Sequence, residues 1–282
     1  MVEKLFSEEQ ILVRDATRQW VKEYVSPIIE DCNLKGVFPK ELIKGIAEIG
    51  GFGAILPAKY GGSELDLISY GLMMQELERG DSSIRVMCSI QTSLVMNNIY
   101  EHGNDFHKQE FLLKLSKGEL IGSFGLSEPG HGSDPASMQT RHAIDGDYYI
   151  INGSKMWIGN APFCDIALVW SKAADNRYSC FIIHRDDPGF STSKIDKKWS
   201  FRASETGELI FDNCKVHKKY LLYESDSIQS ALSSLNIARY AVACGSIGIA
   251  MECYDVALKS VSYTHLRAHE TLRYLVCRLL LE

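Results

Sequence analysis

The change of hydrophobic periodicity near residue 119 constrains the fold of this chain more than any other feature. Up to Gly118, apolar residues recur about every four positions, as at Leu12 and Ala16, which is typical of amphipathic helices. Over 119–225 the apolar residues form short β-branched and aromatic runs separated by turn signals. Helical spacing returns at about 226. The pattern therefore predicts an α+β multidomain protein with a helical unit, a central antiparallel β unit and the start of a second helical unit.

This pattern divides the chain into four segments. We expect an N-terminal all-helical domain over 1–118, a β domain over 119–225, and over 226–261 the first helix of a truncated C-terminal helical bundle domain. Residues 262–282 carry three Arg, two His and only two acidic residues, and they resemble a translated sequencing adaptor or vector sequence. We expect this tail not to be native; the alternative is a native amphipathic C-terminal helix.

Local signals inside these segments predict individual elements. A capping box formed by Ser7 and Gln10 starts the first helix. Further helices are expected near 39–49, 64–79, 83–102 and 104–117. Strands are expected at Tyr148–Asn152, Asp165–Trp170, Ser179–His184 and Glu208–Phe211, with turn signals at 145–146, 152–153, 187–189 and 212–213.

Composition narrows the function classes. The formal charge of −6 argues against a general nucleic-acid or anionic-membrane surface. We expect no membrane span and no targeting segment, and hence a cytoplasmic protein, or a mitochondrial matrix protein if it is eukaryotic. The 8 cysteines include no C-x-x-C pair, which indicates reduced thiols and no zinc site. No G-x-G-x-x-G turn is present, which disfavours a nicotinamide site.

Two loops of the β unit carry the functional signal. The first, residues 124–134, holds three Gly and a Pro, which allow tight turns and close approach of the backbone to a ligand. The second, residues 155–160, contains Trp157 and Ile158, which offer a flat apolar wall for a ring system. A single Gly-rich turn would be weak evidence, whereas two such loops about twenty residues apart are more specific.

The two loops and the chain on both sides of them, from about Phe6 to Val261, resemble the acyl-CoA dehydrogenase family. The stretches 78–96, 201–204 and 235–240 are most similar to glutaryl-CoA dehydrogenases. The resemblance implies a bound FAD, clasped by backbone groups of the first loop and packed beside the second. The implied cofactor-binding residues are Phe124, Gly125, Leu126, Ser127, Gly132, Ser133, Trp157, Ile158 and Gly159.

Position 159 departs from the family pattern. The family usually has Thr or Ser there, and its hydroxyl bonds the flavin N5 atom. Gly159 removes that donor. Some short-chain acyl-CoA oxidases share the Trp-Ile-Gly-Asn form, so the resemblance leaves both a dehydrogenase and an oxidase open.

The resemblance also implies substrate-binding residues, namely Glu78, Arg85, Ser133, Asn236 and Arg239. Arg85 would hold the distal carboxylate of glutaryl-CoA, and it stands in the first turn of a helix, where the helix dipole opposes a cation by about 0.3–1 kcal/mol. The alternative is an ordinary surface Arg paired with Asp81 or Glu78. For Arg239 the alternative is a buried pair with an acid of its domain.

The resemblance implies a reaction as well as a site. The whole protein would dehydrogenate an acyl-CoA, here glutaryl-CoA with decarboxylation, and pass electrons to an electron-transfer flavoprotein from a homodimer or homotetramer. No residue of this chain matches the expected catalytic Glu, since Ala238 occupies one family position for it. We therefore expect the chain alone to be inactive. The alternatives are a short-chain monoacyl-CoA dehydrogenase or oxidase, and a non-catalytic module that binds CoA or flavin.

Overall fold

Helices form the first layer of the protein, and four of those described begin at side-chain caps. A computed structural model describes residues 5–233 and 235–279, with side chains described up to Val261. Ser7 and Gln10 form the predicted capping box, and Asp66 and Asp81 cap the helices that follow them. The α-helices of the described residues are α1 Glu8–Trp20, α2 Ile29–Lys35, α3 Leu42–Glu48, α4 Leu67–Gly80, α5 Ser82–Ser89, α6 Asn97–His102, α7 Asp105–His107, α8 Leu113–Ser116, α9 Gln229–Ser233 and α10 Leu235–Leu279.

Three π-helical turns extend or join these helices. Val21–Val25 continues α1, Ile90–Met96 joins α5 to α6, and Lys108–Leu112 joins α7 to α8. The helices predicted near 39–49, 64–79, 83–102 and 104–117 are all present, the last two as joined helices. The π turn at Ile90–Met96 is a candidate functional position, because such insertions are frequent at functional sites.

The second layer is an 8-stranded sheet with the order β6-β7-β3-β2-β4-β5-β8, with β1 beside β4. Most neighbours are antiparallel as predicted, but β1 pairs with β4 in parallel and β2 meets β4 in parallel at one position. The sheet is therefore mixed. A parallel pair needs a long crossover connection, and the chain between β1 and β4, residues 126–165, supplies one. The strands are β1 Gly122–Gly125, β2 Arg141–Asp145, β3 Tyr148–Gly159, β4 Ile166–Lys172, β5 Tyr178–His184, β6 Phe190–Lys194, β7 Thr206–His217 and β8 Leu221–Ser225.

Two of the four predicted turns are wrong. Residues 145–146 and 187–189 do connect strands that are consecutive in the chain, but 152–153 and 212–213 lie inside β3 and β7. There the two strands face each other across an irregularity in their register. Asn213 N–H donates to Asn152 Oδ1 over 2.8 Å, and Gly153 adopts φ 138°. The Asn and Gly residues therefore form a β-bulge, which uses the same residue types as a turn.

The sheet separates two apolar cores. Along β4, Ile166, Leu168 and Trp170 point to the helices, while Ala167 and Val169 point to the opposite face. The first core continues from the helical unit into the sheet without a break. Phe124 and Leu126, at the end of β1 and directly after it, belong to this first core, so the start of the loop after β1 is anchored on the helical side of the sheet.

Helix α10 packs closely on α4 through small residues. A Cβ at Gly248 would lie 2.0 Å from Gln75 O, so only Gly allows this approach. Arg79 of α4 clamps the same helix by donating to Glu252 over 2.8 Å and Asp255 over 2.5 Å.

The helical stretch Gln229–Val261 bears on the expectation of no membrane span, because by length and composition it could cross a membrane. This is weak evidence for a span, since core helices pass the same test.

The backbone of α10 continues to Leu279, into the segment 262–282. The side chains of that segment lie outside the described residues, and its non-native origin stays a prediction.

Candidate functional site

The structure brings the two predicted loops side by side. Met156 N–H of the second loop donates to Ser127 O of the first over 2.9 Å. Lys155 Nζ donates to Leu126 O over 3.1 Å and to Glu128 Oε1 over 2.8 Å. Three consecutive residues of the first loop are thus bonded to two consecutive residues of the second.

The Lys155–Glu128 pair is buried. Lys155 is 0% and Glu128 6% exposed. Burial lowers the pKa of Lys155 to about 8, although Glu128 opposes the shift. Burial alone would raise the pKa of Glu128, but the Lys155 ammonium and hydrogen bonds from Thr140 and Gln139 outweigh it and lower the pKa to about 2. Both groups are therefore charged at neutral pH.

Glu128 also orders the far end of the first loop. Its two carboxylate oxygens accept the backbone N–H groups of Gln139, over 2.6 Å, and of Thr140, over 3.0 Å. The Glu128 carboxylate thus bonds the end of the loop, at residues 139 and 140, back to its first part. At Gly125, a Cβ would lie 3.2 Å from Lys155 Cγ, so the absent side chain leaves room for the lysine stem.

A second bulge turns Trp157 outward. The β3–β7 register shifts between Lys155 and Ile158, and Trp157 adopts φ 65°. Bulges re-aim side chains next to active sites, and a non-Gly residue at positive φ carries backbone strain. Trp157 is 61% exposed, so its indole offers a flat apolar face beside the first loop. Ile158, in contrast, packs in the second core, which corrects the expectation that it shares this wall.

The other predicted cofactor residues fall into two groups. The side chains of Phe124 and Leu126 are buried, so these residues can offer only main-chain groups to a ligand. Gly132 and Ser133 are exposed, and a Cβ at Gly132 would meet nothing within 4 Å. An exposed indole beside open, Gly-rich backbone fits a planar ring that carries polar edges and a phosphate arm.

Buried amide side chains lock the loops to the helical layer. Gln91, in the π turn, accepts from Gly122 N–H over 2.9 Å and donates to Leu115 O and Leu120 O. Asn160 Nδ2 donates to Gly122 O over 3.1 Å. Gly122, the first residue of β1, is therefore bonded to one side chain of the helical layer, Gln91, and to one of the sheet layer, Asn160. Sequence reasoning assigned no role to Gln91, Asn160 or Lys155.

Arg85 is buried and forms an ion pair with Glu78. Glu78 also accepts from Ser82 Oγ over 2.6 Å, and Gly245 of α10 covers the pair, since a Cβ there would lie 2.8 Å from Glu78 Oε2. Pairing with Glu78 was the predicted alternative, but as a surface pair, and the burial contradicts that part. Asp81, the other predicted partner of Arg85, instead caps α5 by accepting from Ser83 N–H.

Asn236 and Arg239 lie on the exposed side of α10. Arg239 Nη1 donates to Asn236 Oδ1 over 3.0 Å. The alternative of a buried Arg239 paired with an acid is therefore wrong. The two residues form one polar unit on the surface, one turn apart.

Two family models match the chain, "Acyl-CoA dehydrogenase, N-terminal domain" over residues 7–119 and "Acyl-CoA dehydrogenase, middle domain" over residues 123–214. The chain belongs to the acyl-CoA dehydrogenase family. The first range ends in the connection between α8 and β1, the second begins within β1, and the second range contains both loops.

Relatives and solved structures of the family support this assignment. The chain is 33% identical to the short/branched chain specific acyl-CoA dehydrogenase of Rattus norvegicus, covering 90% of this chain and 60% of that protein. It superposes on a glutaryl-CoA dehydrogenase from Mycobacterium smegmatis in complex with FADH2 with a TM-score of 0.88 and 36% identity, covering 91% and 66% of the two chains. A structure described as an electron transferring flavoprotein of Acidaminococcus fermentans gives a TM-score of 0.86 and 32% identity, with coverage of 90% and 68%.

The buried ion pair predicts a large penalty when one partner is removed. Lys155→Met leaves the Glu128 carboxylate buried without its cation, so we expect the free energy of unfolding to fall by about 3–5 kcal/mol. Lys155→Met combined with Glu128→Gln should recover much of the loss. Urea unfolding followed by circular dichroism measures both, and Lys114→Met, at an exposed pair with Glu110, is the matched control. Equal destabilisation by the single and double variants would contradict the pair.

The lowered pKa of Glu128 predicts a defined acid sensitivity. The carboxylate has its usual pKa of 4.5 when unfolded and about 2 when folded, so its contribution is present above pH 4.5 and disappears as the pH falls towards 2. The contribution is on the order of 3 kcal/mol. The stability gap between wild type and Glu128→Gln should therefore narrow over this window in urea titrations at successive pH values. A gap that stays constant from pH 6 to 3 would rule out this assignment.

Proposed function

We propose that the protein carrying this chain is an FAD-dependent acyl-CoA dehydrogenase that acts at the α and β carbons of the thioester. One observation carries the proposal, namely the exposed Trp157 indole directly after the Met156–Ser127 and Lys155–Leu126 bonds that join the two loops. FADH2 is bound in the glutaryl-CoA dehydrogenase structure of the same family. Since the chain spans about 60% of its rat relative, the activity is assigned to the whole protein.

The residues of the two loops would hold FAD in distinct ways. Trp157 would lie against the ring system, and main-chain groups of Leu126 and Ser127 would bond its polar edge. Gly132 and Ser133, at the open end of the first loop, would face the phosphate and thioester arms. When bound, FAD supplies the acceptor for the hydride that leaves the substrate β-carbon.

We further propose glutaryl-CoA as the preferred substrate. The support is Arg85, a buried guanidinium that donates to Glu78 through Nε. A guanidinium has five donors in a fixed fork, so Arg85 can bind a second carboxylate while Glu78 orients it. The 36% identity to a glutaryl-CoA dehydrogenase supports this substrate, and the similarity to a short/branched chain enzyme supports a monoacyl substrate as the competing candidate.

The base that removes the α-proton is proposed to lie outside the described residues. A general base must reach the proton that it abstracts. A carboxylate that is held in an ion pair away from the site therefore cannot serve as the base. Glu252 and Asp255, the acids of α10 up to Val261, are both bonded to Arg79 and hold the helix on α4. Electron transfer to an electron-transfer flavoprotein and assembly into a homodimer or homotetramer remain proposals that rest on the family.

An oxidase is the second candidate function. Gly159 supports it, because it offers no side-chain hydroxyl to the flavin. A whole protein that forms hydrogen peroxide at each turnover would favour this candidate over the dehydrogenase. A chain that binds CoA without retaining flavin would instead favour the non-catalytic module.

Removal of the exposed indole should weaken FAD binding. We expect Trp157→Ala to raise the FAD dissociation constant of the whole protein about tenfold or more, since stacked aromatic contacts and their burial contribute a few kcal/mol. Trp199→Ala is the matched control, because Trp199 is also exposed but lies in another loop. Reconstitution of the apoprotein, followed by flavin fluorescence, measures both. If the two variants bind FAD equally well, Trp157 does not contact the cofactor.

Substitution of Arg85 should change substrate preference. We expect Arg85→Gln to lower kcat/KM for glutaryl-CoA by about 10- to 100-fold, the usual range for a lost charged hydrogen bond, with a much smaller effect on butyryl-CoA. Steady-state kinetics of the whole protein with both thioesters measure the ratio. A wild-type protein that prefers butyryl-CoA, or equal losses for both substrates, would leave Arg85 as a structural residue.

A further inference from the structure

A small basic cavity lies where the helical unit meets the β unit. The end of α2 and the connection between β6 and β7 form its walls, and its volume is about 300 Å³. Five basic side chains line it, namely Lys35, Lys194, Lys197, Lys198 and Arg202, against two acidic ones, Asp196 and Glu205. The formal charge of the whole chain is −6, so the cavity reverses the sign of the protein's charge locally.

Both lining acids already have a cation. Lys194 Nζ lies 3.9 Å from Asp196 Oδ1 and 3.9 Å from Glu205 Oε2. Lys35 has its own partner outside the lining, since its Nζ lies 2.5 Å from Asp31 Oδ2. These ion pairs use both acids and two of the cations, and they leave three cations for which the cavity supplies no counter-charge.

Arg202 is the first of these three cations. It is half-buried, and its guanidinium donates to backbone carbonyl oxygens, namely Asn33 O over 2.8 Å, Leu34 O over 3.0 Å and Lys198 O over 3.1 Å. These bonds tie the end of α2 to the β6–β7 connection. They satisfy the hydrogen-bonding groups of Arg202 but leave its positive charge without a partner of opposite sign.

Lys198 and Lys197 are the other two. Lys198 is half-buried, and its Nζ donates to Ser204 O and, over 2.8 Å, to Thr206 Oγ1. Burial and the neighbouring Lys194 ammonium lower the pKa of Lys198. Among the described residues, no carboxylate forms an ion pair with either lysine or with Arg202. Because a half-buried charge without a counter-charge is unfavourable, the cavity favours an anion.

We infer that this cavity binds a phosphate group, as inorganic phosphate or as the monoester of a small metabolite. A phosphate dianion supplies the missing negative charge and several acceptor oxygens, which suit the three rotatable donors of a lysine ammonium. A volume of about 300 Å³ is at the lower end for small-molecule sites, and it fits a small phosphorylated ligand. The inference goes beyond the proposed function, because it involves neither of the two loops.

Titration calorimetry of the whole protein with inorganic phosphate, at constant ionic strength, tests the site. We expect a dissociation constant of about 1 mM or below. Lys198→Gln should raise it about tenfold, as for a lost charged hydrogen bond, and Lys197→Gln, at an exposed side chain, about threefold. Lys44→Gln is the matched control, because it removes the same charge from an exposed side chain of α3, and it should have no effect.

A variant of opposite sign separates charge from structural damage. Glu205→Gln removes a lining negative charge and still offers an oxygen to Phe38 N–H, which Glu205 Oε1 accepts over 3.3 Å. It also frees Lys194 from one partner. We therefore expect phosphate to bind about threefold more tightly to this variant, whereas a damaged cavity would bind it more weakly.

Thermal unfolding shows which variants are folded, and Lys197→Gln and Glu205→Gln still decide the question if Lys198→Gln is not. Glycerol 3-phosphate in the same titration distinguishes the two ligands: tighter binding than that of inorganic phosphate assigns the site to a phosphorylated metabolite, and weaker or equal binding assigns it to the free ion. An absence of binding up to about 10 mM phosphate, equal losses in Lys198→Gln and Lys44→Gln, or weaker binding by folded Glu205→Gln would overturn the site.

Discussion

The buried ion pair between Lys155 and Glu128 is the interaction on which the candidate site depends. Burial of an ammonium group costs free energy unless the group is paired and hydrogen-bonded. Here the Lys155 ammonium donates to the Glu128 carboxylate and to the Leu126 carbonyl. Lys155 and Glu128 come from different loops. Because the buried charge of Lys155 must be paired, the ion pair fixes the position of both loops. The carboxylate also receives two backbone N–H groups, so the pair orders the loop beyond it.

A second constraint is the long helix from α5 through the π turn to α6. Over seven residues it carries Arg85, Ile90 and Gln91, which contact Glu78, Gly159 and the start of β1 respectively. This continuous helix therefore holds the candidate substrate residues at a fixed distance from the candidate cofactor loops. The π turn adds a residue at the point where the helix meets β1 and the end of β3.

Much of this fold could be predicted from the sequence. Periodicity gave the helices and the strands, and the Gly-rich loops pointed to the right surface. Bulges at 152–153 and 212–213 could not be told from turns, because Asn and Gly serve both. Lys155 could not be recognised as buried, since its partner lies 27 residues away and an isolated Lys in a strand usually faces solvent. The contact of Ile90 with Gly159 depends on the docking of two layers, which no local pattern encodes.

Amide hydrogen exchange at Met156 tests the central claim most directly, because its N–H bonds Ser127 O across the two loops. The account predicts that Lys155→Met accelerates exchange at Met156 far more than at core strand β4, as the loops separate locally before the protein unfolds. Unchanged protection at Met156, or a loss no greater than that of β4, would show that the loops stay together without the ion pair.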